Sequence, residues 1–275
     1  MPTLKSSVGA TPLKFTVDTE NWTITPIDES GDARPGPPRS WFDDDGFALL
    51  GRWWLQASWQ RKYSYQFRWL GRPIIQLPGD ILIVQDLIHR IRPTLIIETG
   101  IAHGGSAVLH ASLLKALDGN LQPGANRPHV IAIDIEIRPA NRKALEAHPL
   151  RPMMTLIEGS SIDREVVSKV RQALLPNDVV MIVLDSNHTR DHVLAELEAY
   201  GPMVTAGSAI VVMDGVMAEL ADLPGADPRW KHDHPTAAIK TFLQLSCGEA
   251  FSVDRAYDGF ALTHSPGGIL IRSKM

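Results

Sequence analysis

Residues 95–106 read Leu-Ile-Ile-Glu-Thr-Gly-Ile-Ala-His-Gly-Gly-Ser, an apolar run that breaks into a glycine-rich turn. The run predicts a buried strand over 95–99, and the apolar spacing that follows predicts a helix over 105–117. Glycine permits tight backbone conformations, and the N-terminus of a helix offers unpaired N–H groups and a positive dipole end. The stretch therefore predicts a strand–turn–helix cradle for a nucleotide-like ligand.

The spacing of the glycines separates this turn from a dinucleotide-binding turn. The sequence has Glu-x-Gly-x-x-x-Gly through Glu98, Gly100 and Gly104, whereas a dinucleotide turn reads Gly-x-Gly-x-x-Gly. The sequence has no Gly-x-Ser-x-Gly nucleophile elbow, no phosphate-binding P-loop and no paired zinc-ligand motif. The pattern favours a cofactor other than a nicotinamide dinucleotide.

The composition of the chain limits the classes of protein to which it can belong. The chain has 275 residues, with 44% hydrophobic and 21% charged residues, as expected for one large globular domain with an extension. Its net charge of -4 gives no electrostatic reason to expect nucleic acid or an anionic membrane as a partner. Cys247 is alone, which excludes an internal disulfide, and no apolar run reaches membrane-spanning length. We therefore expect a cytoplasmic protein.

Three regions differ in character along the chain. Residues 1–40 are rich in Pro, Gly, Asp and Ser, and predict an extended arm with one short strand around Trp22–Ile24. Residues 41–75 hold most of the aromatic side chains and predict a helical cap. Part of this aromatic surface is either packed on the main domain or lines a substrate pocket or a subunit interface. Residues 76–275 form the main domain.

The main domain alternates between helical and strand patterns. Helices are predicted over 80–90 (with Asp80 as N-cap), 105–117, 139–147, 162–174, 189–199 and 236–246. Strands are predicted over 95–99, 129–133, 153–157, 179–184, 209–213, 250–253 and 268–272. This order predicts an α/β fold with a Rossmann-like, doubly wound, mostly parallel sheet. The histidine-rich stretch 231–235 resembles a metal-ligand cluster in composition, but a mobile polar loop explains it equally well.

Polar residues follow five strands of this sheet, at Glu98, Asp134, Ser160, Asp185 and Asp214. Because the carboxyl ends of parallel strands share one edge, these side chains are expected together. Asp134 could accept hydrogen bonds from both hydroxyls of a ribose; the alternatives are a cap for the next helix and, as a weaker competitor, Glu136. Ser160 is expected near an adenine by its position alone.

The last two strand ends predict the reactive part of the site. Asp185 and Asp214 could converge on one hard cation. His188 follows Asp185 by three residues and could remove a proton from a substrate hydroxyl. Asn187 is either a further polar ligand or a turn residue. His192, one helical turn after His188, is either a partner that supports the site or an exposed helix residue, and the exposed position is favoured.

These residues resemble the cephalosporin hydroxylase-like family of class I S-adenosylmethionine (SAM)-dependent methyltransferases, which includes sugar O-methyltransferases of rhamnosyl and macrolide type. The resemblance covers roughly residues 70–250. It is carried by Gln-Leu-Pro-Gly-Asp at 76–80, Arg-Pro at 92–93, Glu-Thr-Gly-Ile-Ala-His-Gly-Gly-Ser at 98–106, Ile-Asp at 133–134 and Leu-Asp-Ser-Asn-His at 184–188. Residues 76–275 then form a SAM-dependent methyltransferase domain.

The resemblance also implies roles for single residues. The turn would hold the methionine end of SAM, Asp134 its ribose, and His188 would act as general base. The cofactor-binding residues expected on this basis are Glu98, Gly100, His103, Gly104, Ser106, Asp134, Ser160 and Asp185. A Mg²⁺ ion would be held by Asp185 and Asp214.

One departure from the family bears on that metal. Macrolide-type members hold Mg²⁺ with an Asp after the fourth strand and a Glu-Asp pair after the fifth, whereas this sequence reads Met213-Asp214. A thioether is a poor partner for a hard ion. Either the metal is weakened or lost, or Asn187, Glu219 or a water completes the site.

The predicted reaction is an SN2 methyl transfer from SAM to a hydroxyl of a small secondary metabolite or sugar. The alternatives are a metal-independent C- or N-methyltransferase or another SAM-fold enzyme, a nicotinamide-dependent oxidoreductase, and a non-catalytic SAM-fold partner. The aromatic N-terminal region and the resemblance together predict a homo-oligomer.

Overall fold

The computed structural model describes residues 14–27, 37–118 and 126–274. Its N-terminal part is an antiparallel sheet of β1 (Lys14–Asp18), β2 (Thr23–Ile27) and β3 (Arg39–Ser40), followed by α1 (Asp44–Gln60). The Phe15 ring packs edge-on against Trp53, with centroids 5.3 Å apart. β2 thus overlaps the strand predicted around Trp22–Ile24, and β1 and β3 pair with it on either side. The rest of the predicted arm, 1–13 and 28–36, lies outside the described residues.

A compact connection joins α1 to the main domain. A 3₁₀ turn over Tyr63–Gln66 leads to the hairpin of β4 (Arg68–Trp69) and β5 (Arg72–Pro73), and then to α2 (Pro78–Ile91). The prediction that Asp80 caps this helix is wrong. Leu77 is the N-cap and Pro78 opens the helix, because a first-turn proline has no N–H to leave unpaired. Asp80 is buried instead.

The central sheet confirms the predicted doubly wound α/β fold. Its seven strands are ordered β11-β12-β10-β9-β6-β7-β8, and the five from β10 to β8 run parallel. The parallel strands are β6 (Leu95–Thr99), β7 (His129–Asp134), β8 (Met154–Glu158), β9 (Val180–Leu184) and β10 (Ala209–Val212). β11 (Phe251–Val253) and β12 (Ile269–Arg272) close one edge, with β12 antiparallel to both neighbours.

Helices cover both faces of this sheet because successive strand residues point to opposite sides. Ile96 faces α2 and α3 (Gly105–Leu117), whereas Leu95 and Ile97 face the opposite layer. The other helices are α4 (Pro139–Glu146), α5 (Arg164–Ala173), α6 (Arg190–Tyr200), α7 (Met217–Leu220) and α8 (Pro235–Phe242). None of the helices in the described ranges combines the length and apolar character needed to cross a membrane.

α8 ends four residues earlier than predicted, at Phe242. The chain folds back there so closely that a side chain at Gly248 would lie 2.0 Å from the Phe242 carbonyl oxygen. The helix therefore ends where the chain folds back, and Gly248, which lies beyond the predicted helix, permits that close approach. The order of the elements places the carboxyl ends of β6 to β10 along one edge of the sheet.

Candidate active site

The glycine turn between β6 and α3 is built by close backbone contacts. Gly100 has a φ of +89°, and a Cβ atom there would lie 2.0 Å from the Asp185 carbonyl oxygen. Gly104, with a φ of +84°, is the N-cap of α3. At Gly105 a Cβ atom would lie 2.2 Å from the carbonyl oxygen of Pro73. The glycines thus bring the ends of β6 and β9 and the segment after β5 into direct contact.

Glu98 lies beneath the turn rather than in its opening. The side chain is fully buried, accepts a hydrogen bond from the Ser106 hydroxyl and lies 2.9 Å from Nδ1 of His110. Its carboxylate therefore ties β6 to the first turns of α3 and supports the cradle from within the domain. The sequence predicted the strand-end position of Glu98, but not which way its carboxylate points.

Asp134 holds the turn from the neighbouring strand. Its Oδ2 accepts hydrogen bonds from the backbone N–H groups of Ile101 and Ala102, at 2.8 and 2.9 Å. Its Oδ1 accepts only a longer bond, 3.2 Å, from the N–H of Glu136. Asp134 does not cap α4, whose N-cap is Arg138. Ser160 is half-buried at the end of β8, one strand further out.

A cavity of about 210 Å³ opens between the glycine turn and the ends of β9 and β10. Asp185, His188 and Asp214 meet in it, with one potential ligand atom from each lying within 4.8 Å of the others. Nε2 of His188 is 3.0 Å from Oδ2 of Asp214. The same cavity is lined by Gly100, His103, Gly105, Ser106, Ser186, Tyr65 and Gln76, among others. The structure therefore brings the predicted acids and the predicted base together beside the turn.

Two further residues of this cluster were missed by the sequence reasoning. Nδ1 of His264 lies 3.6 Å from Oδ1 of Asp214, so two imidazoles face one carboxylate. Asp80, which is 2% exposed, accepts hydrogen bonds from the Thr263 hydroxyl and from the N–H of His264. No local pattern links these positions, since the loop before β12 brings them together only in the folded chain.

Met213 is not among the residues that line the cavity with Asp185 and Asp214. Its side chain is 3% exposed and packs in the core beneath α2, where its sulfur accepts a hydrogen bond from the Ser265 hydroxyl at 3.3 Å. The cluster therefore contains two carboxylates and one imidazole as potential ligands. At position 213 the chain therefore has a buried thioether and no acidic ligand.

The crowding of acids changes how readily they ionise. Burial raises the pKa of Asp185 well above its ordinary value, and the charges of Asp214 and Glu98 raise it further. Burial also raises the pKa of Asp80, although the Thr263 hydroxyl opposes the shift. The site therefore carries unfavourable negative charge, which a bound cation or a positively charged ligand group would offset.

Two other predicted residues and the histidine-rich stretch lie at the margin of the site. Asn187 is a turn residue, because its Oδ1 accepts from both the N–H and the hydroxyl of Thr189. The interpretation of His192 as exposed is wrong: it is half-buried, and its Nε2 lies 3.1 Å from the Ser161 hydroxyl oxygen and 3.2 Å from that of Ser186. The stretch 231–235 does not line the cavity, and its Asp233 accepts a hydrogen bond at the start of α6.

Replacing Gly100 by Ala is expected to destabilise the protein strongly and to weaken any ligand binding at the turn. A left-handed backbone alone costs a non-glycine residue about 1–2 kcal/mol. Here the methyl group would also collide with the Asp185 carbonyl. Gly225→Ala is the matched control, because Gly225 has a φ of +81° but open space around it. Equal losses of thermal stability in the two variants would contradict the close approach.

Comparisons with known proteins agree with this geometry. Residues 61–273 match the family described as "Rhamnosyl O-methyltransferase/CmcI". A rhamnosyl O-methyltransferase from Mycobacterium bovis (strain BCG / Pasteur 1173P2) is 30% identical over 204 residues, which cover 71% of this chain and 74% of the relative. The rhamnosyl O-methyltransferase of Mycobacterium leprae (strain TN) is 29% identical over 210 residues, covering 74% of this chain and 82% of the relative.

Solved structures share the fold at lower identity. An apo structure of CmcI aligns with a TM-score of 0.52 and 17% identity, covering 77% of this chain and 78% of that one. CmcI with Mg and SAM aligns with a TM-score of 0.52 and 16% identity, covering 76% and 78%. The family match spans most of the chain and includes the whole sheet edge described above. The chain therefore belongs to the rhamnosyl O-methyltransferase/CmcI family of SAM-dependent methyltransferases.

Proposed function

We propose that this protein transfers the methyl group of SAM to a hydroxyl oxygen of a small polar acceptor, such as a sugar. The observation that carries the proposal is the placement of Asp185, His188 and Asp214 in the same cavity as the glycine turn. The relatives named as rhamnosyl O-methyltransferases support a sugar hydroxyl as the acceptor group. Family membership sets aside the nicotinamide-dependent alternative.

The turn has the features that a SAM site needs. We assign Gly100, His103, Gly104 and Ser106 to the methionine end, because they form the turn at the start of α3 and three of them, Gly100, His103 and Ser106, line the cavity. Asp134 would bind the ribose through its less engaged Oδ1, and Ser160 would lie near the adenine. Glu98 would act from beneath, by holding Ser106. Bound SAM supplies an electrophilic methyl group on a sulfonium.

His188 is the proposed general base. The carboxylate of Asp214, 3.0 Å from Nε2, fixes the orientation of the ring and would stabilise the imidazolium after proton uptake. The rest of the ring borders the cavity, and 29% of the side chain is exposed. His188 would take the proton of the acceptor hydroxyl, and the cavity walls would hold the oxygen in line with the methyl group.

A divalent cation fits the donor atoms of this cluster. Asp185 and Asp214 offer the carboxylate oxygens that Mg²⁺ prefers, and the raised pKa of Asp185 reflects charge that a cation would offset. The cation would lower the pKa of the acceptor hydroxyl and orient it. The CmcI structure with Mg and SAM supports this assignment. Met213 would take no part, since its sulfur lies in the core.

The acceptor is proposed to lie between the aromatic segment 41–69 and the loop 216–235. Arg52 of α1 pairs with Glu219 at 3.0 Å, and the Trp59 and Trp230 rings pack edge-on with centroids 5.7 Å apart. Tyr65 is 59% exposed at the mouth of the cavity, where it offers a flat surface to an acceptor ring. The Arg52–Glu219 and Trp59–Trp230 contacts join the two segments to each other.

Incubation with SAM carrying a labelled methyl group and a panel of hydroxylated acceptors, including rhamnosides, tests the proposed function. We expect one labelled methyl group per product, attached to oxygen by NMR, and a fall in turnover of roughly tenfold or more with EDTA that Mg²⁺ reverses. Failure of the wild-type protein to bind SAM, or a label on nitrogen or carbon, would count against the proposal. Full turnover in EDTA would remove the metal from it.

Three parts of the sequence interpretation are retained as proposals. We infer a division into an arm (1–40), an aromatic cap (41–75) and a methyltransferase domain (76–275). We also infer a homo-oligomer, since Phe42 and Phe47 expose more than half of their surface in the cap. The expected partner remains a small-molecule acceptor, without nucleic acid or a membrane.

A further inference from the structure

Gln76 is a buried polar residue whose side chain has no hydrogen-bond partner among the described residues. It lies between β5 and α2 and is 1% exposed, and both Nε2 and Oε1 are unpaired. An unsatisfied buried amide costs about 1–3 kcal/mol, and such groups are rare in folded proteins. A ligand that satisfies the amide would remove that cost.

The segment that carries Gln76 is held rigidly against the glycine turn. Arg72, four residues earlier, donates from Nε to the carbonyl oxygen of His103 at 2.9 Å. The absence of a side chain at Gly105 lets the carbonyl of Pro73 approach the start of α3. The position of Gln76 relative to the turn is therefore set by the contacts of Arg72 and Pro73, which precede it in the chain.

Gln76 lines the cavity between the turn and the acids, together with Gly100, Ser106 and Asp185, and its two amide atoms are themselves buried. It lies near enough to Asp185 to lower the pKa of that carboxyl in part, against the larger effects of burial and of Asp214, although no hydrogen bond of normal geometry joins the two side chains. A hydrogen-bond donor is what lowers the pKa of a carboxyl, so the NH₂ group is the end of the amide nearer Asp185 and the amide oxygen is the end left for a ligand.

On the basis of the proposed function, we propose that Gln76 binds the amino-acid tail of SAM. Its amide oxygen accepts a hydrogen bond from the α-ammonium group, while its NH₂ group donates to Asp185. The tail carries an α-ammonium and an α-carboxylate group, and the surrounding acids favour the ammonium group on their side. Gln76 thereby links the cofactor to the carboxylate that faces the acceptor.

Gln76→Leu separates this role from a structural one when two ligands are compared by calorimetry. S-adenosylhomocysteine carries the amino-acid tail, and 5′-methylthioadenosine is the same nucleoside thioether without it. A hydrogen bond to a charged group is worth about 1.5–3 kcal/mol, so we expect S-adenosylhomocysteine to bind roughly 10- to 100-fold more weakly. Affinity for 5′-methylthioadenosine should change by less than about twofold.

The thermal stability of the free protein gives a second readout. Since an unpaired buried amide is removed, the melting temperature of Gln76→Leu and of Gln76→Met should stay level or rise. Ser208→Ala is the control, because it also removes a buried unpaired polar group, but at the opposite end of β10. It should leave both affinities unchanged.

The other possible results of the Gln76→Leu experiments would contradict either this proposal or the proposed function. Equal losses for the two ligands, or a clearly lower melting temperature, would show that Gln76 only supports the fold and would overturn the proposal. Unchanged binding of S-adenosylhomocysteine with a raised KM for the acceptor would assign the amide to the acceptor and overturn it as well. Failure of the wild-type protein to bind either ligand would instead contradict the proposed function.

Discussion

Replacing His188 by Ala is expected to lower kcat/KM for methyl transfer by roughly 10²–10⁴-fold, the range typical of a positioned general base. The affinity for S-adenosylhomocysteine should change little, because His188 lies on the acid side of the cavity and makes its short contact with Asp214, 3.0 Å away. Steady-state turnover with a labelled methyl donor, and calorimetry with S-adenosylhomocysteine, measure the two quantities separately.

His89→Ala is the matched control for this variant. His89 is an exposed histidine in the last turn of α2 and does not line the cavity, so its loss should leave turnover within about twofold. If His188→Ala retained wild-type turnover, another group would have to accept the proton, and His264 on the far side of Asp214 would be the first candidate. Loss of cofactor affinity in parallel with turnover would instead indicate a structural role for His188.

The fold could be read from the sequence because its signals are local. Continuous runs such as 95–97 and 180–184 have the apolar character of parallel strands that are covered on both faces, and each is followed by an amphipathic helix pattern. The failures occur at element ends, where tertiary contacts decide. Asp80 looked like a helix cap, but a preceding proline opens the helix and the carboxylate is used by Thr263, far along the chain.

The candidate site could be predicted wherever a side chain stands at the end of a predicted strand. Asp134, Asp185 and Asp214 belong to this class, since the sheet edge is known once the strands are known. The direction of a side chain could not be predicted in the same way. Glu98 points beneath the turn, and His264 reaches the cluster from a loop with no strand or helix pattern. Gln76 gave no signal beyond its place in a segment shared with the family.

Replacing Asp185 by Asn is expected to abolish activity and, in EDTA at neutral pH, to raise the melting temperature. Burial and the charges of Asp214 and Glu98 raise the pKa of Asp185, so its ionised form is unfavourable in the folded state. Asparagine keeps the size of the side chain but removes the charge. Each ~1 kcal/mol of relief should raise the melting temperature of a chain of this size by roughly 2–4 °C.

The rise in melting temperature expected for Asp185→Asn depends on pH, and its direction follows from the raised pKa of Asp185. An unfolded Asp185 loses its proton near 3.8, whereas the folded residue keeps it to higher pH. Between the two pKa values the folded state binds more protons, so the stability of the wild-type protein falls as pH rises through this window. The difference between Asp185→Asn and wild type should therefore be absent near pH 3–4 and grow towards neutrality. Asp191→Asn, at a residue that is 90% exposed, should show no such difference.

A divalent cation should reverse the order of stability. The cation binds the folded wild-type protein and adds RT ln(1 + [L]/Kd), about 2.7 kcal/mol at a hundredfold excess over Kd. Asp185→Asn lacks one of the two carboxylates, so Mg²⁺ should raise its melting temperature much less. A variant that is less stable than wild type in EDTA at neutral pH would contradict the argument, because the contacts of the ionised Asp185 would then outweigh its burial and repulsion. If both melting-temperature results are as expected, the crowding of carboxylates lowers the stability of the metal-free protein and also provides the affinity for the cation. The absence of an acid at Met213 would then reduce both the loss of stability and the affinity.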